Sequence, residues 1–376
     1  MQVYSISEHL ITGLGCTTAE NFQALAGGWP GLRKKTLPDL GDQAYYVSDV
    51  DRAALHKISA PLDLPPEFTH LETLLATSMA IAMRDLPCDP ADTELLVIIA
   101  STKGNIDLLD QETPYPDDHP VHLRSTSRRI GGYFGFAKTP VILSHACTSG
   151  LMAVIMASRL LAAGRYTYAV VSGVDVIAPF TLSGFNALGA IDPEPCKPYD
   201  ISRSGINLGE GCGTIILSSA EGTSEIVFTG GGISNDANHI SGPSRTGAGL
   251  IQAARRAMRE AGVSSVDYIN AHGTATMFND EMEAQAFHQL GLQDVPLNSL
   301  KGYWGHTLGA AGIIELIASI FSMRRDLLFA SAGYQENGLT LPLNIIQESR
   351  ETDVRSCLKT SSGFGGSNSA LIVQKR

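Results

Sequence analysis

Three side chains in this sequence have the types and settings that nucleophilic catalysis needs: Cys147, His272 and His306. Cys147 lies in His145-Ala146-Cys147-Thr148-Ser149-Gly150, after an apolar run from Val141 to Leu143 and before an apolar segment from Leu151 to Ala163, closed by Gly164. That order reads as buried strand, sharp turn and buried helix with a glycine stop. A cysteine at such a turn meets the unpaired N–H groups and the positive dipole end of the helix. Both favour a thiolate and can hold a developing oxyanion. A buried cysteine is by default a small hydrophobe. The turn, its small neighbours and the two histidine motifs single out Cys147 as the nucleophile.

His272 stands in Asn270-Ala271-His272-Gly273-Thr274-Ala275-Thr276, just past a β-type run. His306 ends Lys301-Gly302-Tyr303-Trp304-Gly305-His306 and leads into Leu308-Gly309-Ala310-Ala311-Gly312. Strand carboxyl ends open onto clefts in α/β proteins. Either histidine alone fits a hydrogen-bonded structural residue; with Cys147 the two form a working set. His145 is ambiguous, because in a strand it would share the face of Cys147. The loop Ser361-Ser362-Gly363-Phe364-Gly365-Gly366-Ser367-Asn368 is either a plain tight turn or a source of a backbone N–H that completes an oxyanion hole with Cys147. Zinc uses the same residue types, but no local ligand spacing is present and a zinc-bound thiolate is a poor nucleophile, so no metal is expected.

The elements that must position these residues alternate. Val3 to Ile6 and Leu10 to Thr12 read as a short strand pair, Phe68 to Arg84 as a helix and Glu94 to Ala100 as a buried strand. Tyr168 to Ser172 reads as a strand entering a Gly- and Pro-rich loop through Ala190. Gly213 to Ser218, Glu225 to Thr229, Val266 to Ala271 and Ser369 to Gln374 are further strands. Gly247 to Ala261, Asp280 to Leu290 and Gly309 to Arg324 are helices. Such alternation implies parallel βαβ layers with helices on both faces. Val141–Leu161 and Leu297–Ser322 share one plan, strand then reactive turn then apolar helix, which hints at a duplication.

Bulk properties narrow the classes. With 44% hydrophobic and 17% charged residues over 376 positions, the chain is a soluble globular protein large enough for two halves. A net charge of −11 argues against nucleic acid as a partner, and an acidic partner would need a local basic patch. No apolar run is long enough for a membrane span, and the first residues lack a signal peptide's basic start and apolar core. Six scattered cysteines without a CxxC pair suit a reduced, cytoplasmic protein.

The motifs around Cys147, His272, His306 and Phe364, together with Asp280 and Glu283, resemble in order and spacing those of the β-ketoacyl-acyl-carrier-protein synthases. The likeness is greatest to the elongating Cys-His-His enzymes and runs from about Val141 to the C-terminus. It implies a thiolase-like α/β fold, with two pseudo-duplicated βαβ halves in an αβαβα layered arrangement. The N-terminal half, residues 1–222, would carry the nucleophile, and the C-terminal half, 223–376, both histidines. The implied reaction is decarboxylative Claisen condensation of a malonyl-acyl-carrier-protein with an acyl chain held on Cys147, in fatty-acid, polyketide or polyene biosynthesis. His272 and His306 would hold the malonyl carbonyl. Lys301 would fix His306 and pair with Glu283, with Asp280 in support. Phe364 matches the family's gating residue, its N–H serving the oxyanion hole, and Phe185 one that shapes the acyl pocket.

The resemblance further implies an acyl carrier protein as partner and a homodimer or a heterodimer with a second ketosynthase-like subunit. It implies no cofactor beyond the carrier's phosphopantetheine. Trp304 stands where the family usually has threonine; it either lines the acyl pocket and tunes chain selectivity or packs the loop. Gly302-Tyr303 replaces smaller polar residues, and the chain is shorter than typical before Cys147. Two other readings use the same residues. His306 in its turn speaks against a non-condensing cysteine acyltransferase or hydrolase. An intact Cys147 with both histidines speaks against a pocket-shaping partner subunit.

Overall fold

The computed structural model describes residues 2–36, 43–109 and 114–376. Among these, ten strands form one mixed sheet whose order exposes an internal duplication. The first set is β1 (Val3–Thr12), β2 (Leu95–Ala100), β3 (Val141–Leu143), β4 (Tyr168–Asp175) and β5 (Gly211–Ser218). The second set is β6 (Ile226–Asn235), β7 (Tyr268–Asn270), β8 (Leu297–Asn298), β9 (Ser356–Gly363) and β10 (Ser367–Lys375). The spatial order is β3-β2-β4-β5-β1 in one set and β8-β7-β9-β10-β6 in the other, so each strand has a counterpart. The senses match as well. In each set the second strand lies parallel to the third and fourth, and the fifth runs antiparallel to the fourth and first. The sets join where Val3 and Tyr4 face Phe228 and Val227.

Wholly parallel layers, expected from the alternation, are therefore corrected to mixed ones. The tight connection from Gly363 to Ser367 makes β9 and β10 a hairpin, which is necessarily antiparallel. The expected opening strand pair is a single strand, β1, with a register shift between Ser5 and Ser7. Its polar residues do not mark a turn because they find partners on neighbouring elements: Ser7 donates to Asp85 (3.0 Å) and His9 Nδ1 lies 3.4 Å from Ser78 Oγ.

Three helical layers separate and cover the two halves. Helix α1 (His70–Ala82), opened by a Thr69–Glu72 capping box, packs outside β1, β4 and β5. Helices α2 (Ser149–Ala162) and α6 (Ala311–Arg325) lie in the middle, each against strands of both sets. They are apolar on nearly every face because both faces are covered. Helices α4 (Ala248–Ala261) and α5 (Met277–Leu290) pack together outside β6, β9 and β10. The layers are α, β, α, β, α, as in a thiolase-like fold.

Two local expectations change, and one helix lies where none was expected. The Gly- and Pro-rich stretch before Ala190 contains a helix, α3 (Pro179–Ala187), which Pro179 can open because it lacks an N–H to satisfy. A helix also spans Leu123–Phe134; its buried face is Ser125, Thr126, Ser127, Ile130 and Gly131, so apolar periodicity could not mark it. Strand β3 is not buried but forms the sheet edge, with Val141 38% exposed. No helix among the described residues is long and apolar enough to cross a membrane.

The middle layer positions the chemistry. A Cβ added at Gly150 of α2 would lie 2.7 Å from the Gly309 carbonyl, and one at Gly312 of α6 2.5 Å from the Leu151 nitrogen. The two helix N-termini therefore touch backbone to backbone, and the reactive turns that precede them meet.

Candidate active site

Cys147 ends a turn in which Ala146 takes a positive φ of 48°. The Ser149 hydroxyl donates to the Ala146 carbonyl (2.6 Å) and accepts from the His145 N–H (2.7 Å), clamping the turn. Ser361 donates to the Cys147 carbonyl (3.0 Å), and a Cβ on Gly363 would stand 3.0 Å from the Cys147 nitrogen. The glycine-rich loop thus lies against the nucleophile's backbone, and glycine at 363 permits that approach. His145 is exposed, with Nδ1 3.4 Å from Thr148 Oγ1, and stays outside the cluster.

His272 follows β7 on a loop gripped by two carboxylates of α5. Glu283 accepts from the His272 N–H (2.8 Å), the Gly273 N–H (2.7 Å) and the Tyr199 hydroxyl (2.9 Å). Asp280 accepts from the Thr274 N–H (3.1 Å) and the Tyr199 N–H (2.8 Å). Burial raises both carboxyls; that of Asp280, with Glu283 adding to the effect, reaches about 7. These acids hold the loop and do not reach Lys301 by an ion pair.

The expected Lys301–Glu283 pair is corrected. Lys301, on the short helix Lys301–Trp304, pairs with Glu315 Oε1 of α6 at 2.6 Å. Its Nζ also donates to the His272 carbonyl and lies 3.4 Å from His272 Nδ1. Glu283 is occupied by the amides of the loop, which leaves the lysine to α6. An ammonium has no acceptor, so His272 Nδ1 must accept and the ring proton sits on Nε2. Lys301 therefore fixes the tautomer of His272 rather than holding His306 directly.

His306 is anchored by backbone: its N–H donates to the Asn207 carbonyl (2.7 Å) and its carbonyl accepts from the Gly209 N–H (3.1 Å). Its ring Nδ1 has no partner among the described residues. The two imidazoles stand 5.2 Å apart at 82°, and the donor atoms of Cys147, His272 and His306 all lie within 4.8 Å of one another. Burial, then Lys301, pushes both rings well below the usual histidine range, so they are neutral near pH 7. Burial also pushes the Cys147 thiol up to about 12, with Lys301 partly opposing it. Desolvation of the buried sulfur thus opposes the thiolate that the helix terminus favours. Among the described residues these three donors are also the group that could take a metal ion. The ammonium beside His272 opposes a dication there by charge.

A cavity of about 470 Å³ opens over the three residues, lined also by Phe185, Phe364 and Thr274. Phe185 of α3 and Phe364 of the glycine-rich loop meet with ring centroids 5.5 Å apart. Trp304 does not line it. The indole is wholly buried in the central core behind the loop, and its placement in the acyl pocket is corrected. On the short helix Trp304 turns inward while His306, beyond Gly305 (φ 69°), turns to the cavity. Two participants escaped the reading of motifs, Glu315 and Lys359, which pair at 2.6 Å with neither exposed. Their signal was a lone charge inside an apolar helix and inside a core strand, where charges seldom occur unpaired.

Comparison with known proteins agrees with this geometry. Residues 70–222 match the family described as "Beta-ketoacyl synthase, N-terminal domain" and residues 226–335 the one described as "Beta-ketoacyl synthase, C-terminal domain". The 3-oxoacyl-[acyl-carrier-protein] synthase 2 of Vibrio harveyi is 33% identical over 319 residues, 74% of this chain and 75% of that protein. The synthase of the same name from Rhizobium meliloti (strain 1021) is 33% identical over 252 residues, 61% of this chain and 59% of that one. A chain of the solved complex of a ketosynthase with its chain length factor from Xenorhabdus doucetiae superimposes with a TM-score of 0.85 at 25% identity, over 100% of this chain and 98% of that one. Cys147 falls in the match to the N-terminal domain and both histidines in the match to the C-terminal domain, and the chain belongs to the β-ketoacyl synthase family of condensing acyltransferases.

Proposed function

We propose that this chain condenses an acyl group carried on Cys147 with a malonyl thioester, releasing carbon dioxide and a 3-oxoacyl thioester. The observation that carries the reading is the convergence of one thiol and two neutral imidazoles within 4.8 Å, backed by the Lys301 ammonium. In the loading step the Cys147 sulfur attacks the acyl thioester. The thiol proton passes to His306, whose Nδ1 has no partner among the described residues, and on to the departing carrier thiol. The oxyanion is held by the N–H groups of Cys147 and Phe364. In the second step the malonyl carbonyl accepts from His272 Nε2–H and from His306 as the C–C bond to the carboxylate breaks. The resulting enolate attacks the acyl carbon, the S–C bond to Cys147 breaks, and the sulfur takes up one proton from solvent by way of His306. Neutral donors suit this charge, since it develops only in the transition state. Asp280 and Glu283 hold the His272 loop, and Phe185 with Phe364 closes the cavity.

The substrates bring their own pantetheine thiol, so no resident cofactor or metal is needed. An acyl carrier protein is the donor and acceptor we assign, and the cytoplasm is where such carriers act. We place the boundary between the two halves at 222/223. The chain further pairs with a second chain of the same fold, either its own copy or a chain length factor of the kind named in the Xenorhabdus complex. Edge strand β3 supports this, as do exposed Leu108, Leu109, Phe180 and Leu188. The test of loading is intact-protein mass after incubation with acyl-carrier thioesters. The mass of one acyl group must appear on the Cys147 peptide and be missing in Cys147→Ala.

A further inference from the structure

Lys359 has no part in the chemistry above, yet it is a fully buried cation one residue layer from it. It projects from β9 to Glu315 Oε2 at 2.6 Å, while Lys301 takes Oε1 of the same carboxylate at 2.6 Å. Lys359 Nζ also stands 3.5 Å from the carbonyls of Asn270 and Ala271, the two residues that lead into His272. A buried lysine without a full counterion is costly. Here two ammonium groups share one carboxylate, and the surplus positive charge lies directly behind the histidines.

We infer that Lys359 is a positioning residue of the condensing site: it locks Glu315 so that the carboxylate holds Lys301 against His272, and it adds a second cation that opposes imidazolium formation. The inference rests on the condensing reading of the site. The groups that surround the two rings are Lys301, Glu315 and Lys359; Asp280 and Glu283 of α5, with Tyr199 and Arg203 beside them; Cys196 at the Lys301 carbonyl; and Cys147, with Asp175 and Lys103 behind it. Of these, Lys301 and Lys359 are the cations that press both histidines toward the neutral form. Removing either raises the pH at which the rings protonate.

The substitution to make is Lys359→Met, which keeps the length of the side chain and removes its charge. We expect a folded protein that still takes an acyl group on Cys147. The acid limb of its malonyl decarboxylation should move to higher pH by about one unit, a roughly tenfold change in imidazolium fraction at a given pH. Glu315→Gln, which frees Lys301 but keeps both cations, should lower kcat without moving that limb upward. A folded Lys359→Met protein with the unsubstituted profile and rate would overturn the inference. Should that variant not fold, Lys359→Gln takes its place, and nitrogen NMR of the histidines decides by comparison: the rings must protonate at higher pH in the variant than in the unsubstituted protein, and identical titration in the two overturns the claim. Failure of the unsubstituted protein to load or decarboxylate counts against the condensing reading, and the NMR result still judges Lys359.

Discussion

At the scale of single residues, the two histidines differ in what holds them. His272 has its tautomer set by Lys301 and its backbone clamped by Glu283, whereas His306 has one ring nitrogen free. That asymmetry divides the work, with His272 the fixed donor and His306 the proton carrier. His272→Ala should therefore cost decarboxylation about 3 kcal/mol, roughly a hundredfold, while acyl loading changes far less. The pH dependence follows from the same groups. The active rings are neutral, and burial with Lys301 lowers their folded-state protonation well below 6.5. Activity should persist as pH falls through 6.5 and disappear only when the rings finally charge. A loss of kcat/KM centred near the ordinary histidine value would contradict the burial argument. The reactive residues themselves were legible because each sits in a local turn of small residues. Their partners were not. Glu315 reaches Lys301 from 14 positions away on another helix, and Lys359 reaches Glu315 across 44.

At the scale of elements, local pattern worked where the buried residues are apolar and failed where they are polar or where Pro and Gly stand inside a helix. Helix α1 and strand β2 lie within two residues of their expected bounds. Leu123–Phe134 and α3 were missed, the first because serine and threonine form its buried face and the second because Pro and Gly suggested a loop. Trp304 shows the same limit. Its nearness to His306 in sequence pointed to the cavity, but the chain turns at Gly305 (φ 69°), just past the short helix, and sends the two side chains to opposite sides. Being wholly buried, it belongs to packing. Trp304→Thr should lose about 4 kcal/mol of stability, read as a lower midpoint in urea, by leaving a void in the core. The ratio of kcat/KM between saturated and unsaturated acyl thioesters should stay unchanged. A shifted ratio with stability intact would restore Trp304 to the pocket.

At the scale of the molecule, duplication explains why the site exists where it does. Matching strand orders place two equivalent turns at the ends of two equivalent helices, and Gly150 with Gly312 lets those helices touch. The nucleophile comes from one half and the histidines from the other, so neither half is a catalyst alone. The same sheet ends in an open edge at β3, whose last residue, Leu143, lies four positions before Cys147. Val141→Lys, a charge on that exposed edge, should convert the proposed dimer into a folded species of 39.9 kDa by light scattering. A mass unaffected by the substitution would place the interface elsewhere. Lower activity in the separated chain would tie pairing to the nearby nucleophile turn.

In the proposed reaction, acyl transfer and decarboxylation meet in one carbon–carbon bond. That reaction is tested most directly by a single turnover of protein already acylated on Cys147, mixed with a malonyl-carrier thioester labelled in its free carboxyl. One labelled carbon dioxide should appear for each acyl group lost from Cys147, with one 3-oxoacyl thioester two carbons longer than the starting chain. Release of the acyl group as free acid, or of carbon dioxide without a longer chain, would contradict the proposed reaction.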